Sequence, residues 1–126
     1  MEDINEITDK IIGAAIEVHR ALGPGLLESA YEECLAYELR LHKLDVKRQV
    51  EVPLVYKGIM LDCCYRMDLL VDNRVVVELK TVEHLLPIHE AQLLSYLKIT
   101  EHKVGLLLNF HAEILIHGLK RMVNNL

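Results

Sequence analysis

The chain has 126 residues, 52% hydrophobic and 26% charged, with a net charge of −5 and a pI near 5.8. That length and composition suit a single globular domain over 1–126 with a real core, and exclude a disordered chain. The acidic balance argues against a high-affinity nucleic-acid binder that works by charge alone, though not against an enzyme whose carboxylates hold cations.

The opening segment, MEDINEITDK, is acidic and polar, unlike a secretory leader, and no apolar run reaches the roughly 18 residues a bilayer requires. The expectation is a cytoplasmic protein with no membrane partner. Apolar residues at 4, 7, 11, 12, 15, 16, 18 and 22 recur with helical period and predict a first helix over 4–22. GPG at 23–25 ends it, because proline lacks a donor and glycine accepts turn geometry. A second helix follows in LLESAYEECLAYELRLHK, with Leu27, Ala30, Tyr31, Cys34, Leu35 and Leu41 as its buried face. Glu28 falls at the border of that face. Glu38 falls near its centre, which predicts an ion pair with Arg48 or Arg66.

From Val46 the period changes to two. VKRQVEVPLVY and IMLDCCYRMDLLV predict two strands joined by Lys57-Gly58, and DNR at 72–74 turns the chain into a third, VVVELKTV. IHEAQLLSYLKIT predicts a helix opened near Pro87. KVGLLLNF reads as a buried strand, and EILIHGLKRMV as the last. The order α-α-β-β-β-α-β-β predicts an α+β (mixed α/β) fold with a central mixed sheet flanked by helices. Three cysteines, Cys34, Cys63 and Cys64, form neither a disulfide framework nor a zinc pattern and read as buried, inert thiols. The histidines have no metal-ligand spacing and read mostly as solvated or capping.

Within VVVELKTV, a strand buried on both faces, Glu78 and Lys80 point to the same side. If Val71 pairs with Val75 across a three-residue loop, Asp68 falls opposite Glu78 and Arg66 opposite Lys80, all on one face. Asp-Asn-Arg suits that loop, since asparagine tolerates a left-handed backbone. Such a cluster is either a cross-strand ionic network or a metal site. The apolar setting favours the metal, because two neighbouring carboxylates are costly there without a cation, and Mg²⁺ takes oxygen ligands while keeping several waters.

Asp68 ten residues before Glu78-Leu79-Lys80 resembles the signature of the PD-(D/E)XK phosphodiesterase superfamily. GLLESAY at 25–31 is similar to the motif that names the GxxExxY protein family, and QLLSY, Gln92 to Tyr96, resembles the helix motif of the RecB-like branch. The likeness spans nearly the whole chain with its motifs in the family's order. It departs at one place: where a glycine often stands three residues before the aspartate, this chain has Tyr65, which bears on the approach to the site.

The resemblance implies a restriction-endonuclease-like core and a Mg²⁺- or Mn²⁺-dependent nuclease acting on nucleic acid, DNA foremost. Asp68, Glu78 and the backbone carbonyl of Leu79 would hold the metal, with Glu28 joining directly or through water. Lys80 would orient the attacking water or stabilise charge on the phosphate. Tyr31, Gln92 and Tyr96 would organise the site or contact substrate. The alternative is a nuclease-fold binding or regulatory module that needs a protein partner, and the apolar final strand leaves room for a homodimer.

Overall fold

The computed structural model describes residues 2–62 and 65–125; Cys63 and Cys64 lie outside them. Helix α1 runs Ile4–Leu22 and α2 runs Glu28–Leu41. Strands follow as β1 (Val46–Glu51), β2 (Val55–Tyr56), β3 (Ile59–Met60), β4 (Arg66–Val71) and β5 (Val75–Lys80). Then come α3 (Pro87–Thr100), β6 (Val104–Asn109), a 3₁₀ turn (Leu115–Gly118) and β7 (Leu119–Val123). Five strands form one sheet in the order β1-β4-β5-β6-β7, antiparallel except for β5 beside β6. No helix is long and apolar enough to cross a membrane among the described residues.

The helix pair α1–α2 covers one face of the sheet. Ile7, Ile11, Ala14, Ala15 and Val18 of α1 and Tyr31, Leu35 and Leu39 of α2 pack with Leu69, Val75, Val77, Leu79 and Leu106. The other face is covered by α3, whose Leu93, Tyr96 and Leu97 meet Met67, Leu70, Val76 and Leu107. Gly105 lets α3 approach β6 closely, because a Cβ there would lie 2.9 Å from the Leu93 side chain.

The long hairpin expected over 46–71 is broken. Pro53 cannot donate to a ladder, and the chain leaves the main sheet to form the separate β2–β3 hairpin, with Val55, Tyr56, Ile59 and Met60 exposed. The final strand also shortens, its first half winding into the 3₁₀ turn. The buried face of α2 is rotated by about one residue from the expectation, to Tyr31, Glu32, Leu35, Ala36 and Leu39, while Leu27 is 78% exposed and Leu41 is also exposed. Glu38 therefore pairs with His42 at 3.2 Å, and it is Glu32 that takes Arg48. Cys34 is half-buried, and His19 is buried with Nε2 2.7 Å from the Ala112 carbonyl.

Candidate active site

Strands β4 and β5 pair through Val71–Val75, Leu70–Val76 and Leu69–Val77, as the three-residue loop requires, and then part. Asp72 and Asn73 both take left-handed backbone angles in that loop. On its other edge β4 pairs with β1 at Arg48–Leu69 and Val50–Met67, but the rung between them, Gln49 with Asp68, is missing. Gln49 has φ +52°. This residue turns its strand over: Val46 packs on the α1–α2 side, whereas Val50 and Val52 pack on the α3 side. Strand β4 turns at the same rung, with Leu69 and Val71 on one side and Met67 on the other. Strand β5 keeps its alternation, so the two strands separate at Asp68 and Glu78.

Two carboxylates bridge the gap. The Asp68 N–H donates to Glu78 Oε2 at 2.7 Å, and the Leu79 N–H donates to Asp68 Oδ2 at 2.8 Å. Each satisfies a backbone donor that lost its ladder partner, through a charge-assisted bond when the carboxyl is ionised. Side chains expected on one face thus meet in the plane of the sheet. Arg66, expected beside them, is exposed and joins no ion pair among the described residues.

The remaining oxygens are available. Asp68 Oδ1 has only the Gln49 amide, at 3.4 Å, and Glu78 Oε1 accepts no hydrogen bond among the described residues. No fully buried side-chain polar atom among the described residues lacks a partner, so Glu78 Oε1 is not sealed from solvent. In a strand the N–H and C=O of one residue project to the same edge. The Leu79 N–H points to Asp68, so its carbonyl also projects into the gap, while the Lys80 carbonyl accepts from Phe110 N on the opposite edge at 2.9 Å.

Negative charge accumulates here and is only partly offset. Glu78 is 4% exposed; burial, then the charges of Asp68 and Glu28, push its carboxyl up to about 8, against the Asp68 N–H and Lys80. Burial raises Asp68, with Glu32 adding to it, although the Leu79 N–H, Lys80 and Gln49 oppose the shift. Glu28, the first residue of α2 and half-buried, is raised by burial and by Asp68 and Glu32, again with Lys80 opposing. Lys80 is half-buried amid these carboxylates but forms no ion pair within 4.0 Å among the described residues.

No three His, Cys, Asp or Glu side chains among the described residues converge as a metal-binding group. The available ligands are therefore two carboxylates and one backbone carbonyl, all oxygen, with a surplus of negative charge. That set fits a hard divalent cation whose other positions are filled by water.

Tyr31 lies elsewhere. Its hydroxyl donates to the Gly23 carbonyl and accepts from the Leu26 N–H at 3.1 Å, and its ring stacks on Phe110 with centroids 4.6 Å apart. It thereby fixes the loop that delivers Glu28. Gln92 and Tyr96 line a cavity on the α3 side of the gap, and the Tyr96 hydroxyl is raised to about 12 by burial, Glu78, Asp68 and Tyr65. Sequence reasoning missed Glu32, which is 6% exposed and accepts from Arg48 Nε at 3.1 Å and Gln49 Nε2 at 2.7 Å. Its spacing, four residues after Glu28 on one helical face, was the available signal.

A family model described as PD-(D/E)XK nuclease superfamily matches residues 5–122. No curated protein and no solved structure matches the chain.

Proposed function

Because the chain belongs to the PD-(D/E)XK nuclease superfamily, we propose that it is a divalent-metal-dependent nuclease that hydrolyses phosphodiester bonds, with DNA as the foremost substrate. The observation that carries this reading is the carboxylate pair at the parted strands: Glu78 buried and Asp68 half-buried, mutually repelling, and without an ion-pair partner among the described residues. Asp68, Glu78 and the Leu79 carbonyl would hold Mg²⁺ or Mn²⁺, and Glu28 would reach it through water. The bound metal would polarise the scissile phosphate and lower the pKa of a water. Lys80, on the same side of β5 as Glu78, would orient that water and offset charge developing on the phosphate oxygens. Glu32 holds the Gln49 amide, which reaches Asp68 Oδ1 at 3.4 Å. The GLLESAY segment supports placement in the GxxExxY group, and QLLSY in the RecB-like branch.

A second reading, a nuclease-fold binding or regulatory module, draws on the exposed apolar β2–β3 hairpin and the net charge of −5. Cleavage of labelled single- and double-stranded DNA and RNA with Mg²⁺ or Mn²⁺ separates the two. The nuclease reading expects metal-dependent cleavage that disappears in Glu78→Ala and Lys80→Ala. Cleavage that survives both substitutions, or none in any condition, overturns it.

A further inference from the structure

The cavity beside the carboxylates is lined by Val52, Leu54, Tyr65, Gln92, Tyr96 and Ile99 and encloses about 320 Å³. Its walls come from the segment that joins β1 to β2, the residue before β4, and α3. Mostly apolar, it holds two tyrosines whose ring centroids are 6.3 Å apart and inclined by 58°. Tyr65 is 46% exposed, so one ring is presented toward solvent at the mouth, while Tyr96 is buried and close enough to Glu78 and Asp68 to feel their charge. The size is at the small end for small-molecule pockets, which take flat rings against aromatic walls and use few polar groups for orientation.

We propose that this cavity receives an unpaired nucleobase next to the scissile phosphate, so that the enzyme acts on single-stranded nucleic acid or frayed ends rather than intact duplex. The inference rests on the nuclease reading of the adjacent carboxylates and adds the form of the substrate. A stacked, paired base exposes only its edges, whereas an unstacked base has a free face for Tyr65 and enough freedom to enter a cavity lined by aliphatic side chains. Gln92 supplies both a donor and an acceptor at the wall, which meets the mixed polar edge of any base without demanding one sequence. Stacking of this kind provides affinity without relying on a basic groove, in accord with a chain of net charge −5.

The test is binding of a fluorescent oligodeoxythymidine and of a blunt duplex of equal length, both to the Glu78→Gln protein, in which cleavage is blocked and one negative charge removed. Tyr65→Ala and Tyr65→Phe are added to that background, each checked for an unchanged fold by circular dichroism. The expected result is tighter binding of the single strand, weakened about 5-fold or more by Tyr65→Ala and restored by Tyr65→Phe. Equal binding of strand and duplex, or a Tyr65→Ala protein that binds like its parent, overturns the inference and leaves the cavity to another occupant, such as a protein side chain. Absence of binding to both also overturns it. Metal-dependent cleavage by the wild-type protein, measured on the same oligonucleotides, then shows whether the nuclease reading falls with it.

Discussion

Replacing Glu78 by glutamine should stabilise the metal-free protein at neutral pH, although it removes a buried, hydrogen-bonded carboxyl group. Folding raises the Glu78 carboxyl from 4.5 to about 8 through burial and the neighbouring Asp68 and Glu28 charges. The folded chain therefore binds this proton more tightly than the unfolded chain does. Stability is fully present below pH 4.5 and declines as pH rises through 8. At about 1.4 kcal/mol per pH unit, the loss by pH 7 is about 3 kcal/mol, or roughly 10 °C in Tm for a chain of this size. Glutamine keeps the shape of the protonated acid and an oxygen for the Asp68 N–H, but cannot ionise. Thermal unfolding in EDTA from pH 4 to 8 should show the wild-type Tm falling and the Glu78→Gln Tm falling less. The curves should coincide near pH 4 and diverge above it, with a residual slope in the variant from Asp68, which burial shifts the same way. A wild-type Tm that does not fall over this range, or a variant less stable than wild type at pH 7–8, would refute the reasoning.

Three further outcomes follow from the same geometry. Lys80→Ala should lower cleavage by about 10²-fold or more while leaving metal affinity intact, because Lys80 supplies charge near the phosphate rather than a ligand; single-turnover rates and metal titration together check this. Glu32→Ala should cost about 1 kcal/mol in urea unfolding, since it removes the hydrogen bonds that hold Arg48 and Gln49 to α2 beside the rung at Asp68, while Glu32→Gln should cost less. Tyr31→Phe removes the hydroxyl that links Gly23 and Leu26 but keeps the stack on Phe110, and should cost about 1–2 kcal/mol with unchanged metal binding.

Much of the sheet around the site was legible because it depends on parity. The apolar run Val75-Val76-Val77 identified a strand buried on both faces, and the three-residue turn at 72–74 set the register that brings Asp68 and Glu78 together. What could not be read was the local inversion of β1 and β4. It depends on Gln49 adopting φ +52°, which nothing in a glutamine announces, and it moves the carboxylates from a face of the sheet into its plane. The same limit explains Glu32. A helix stripe fixes which residues can share a face, but a rotation of one residue exchanges Glu38 for Glu32 as the buried partner of Arg48, and only tertiary packing against α1 and the sheet sets that rotation. Pro53 was a visible breaker within an alternating run, and its effect was stronger than the alternation around it.

The central claim is that the parted strands form a metal site rather than an ionic network. Mn²⁺ titration followed by electron paramagnetic resonance tests it without relying on substrate. The account predicts a bound-ion signal for wild type and for Lys80→Ala, lost in Glu78→Gln and Asp68→Asn. Binding that persists in both carboxylate variants, or no binding by the folded wild type at millimolar Mn²⁺, would contradict it.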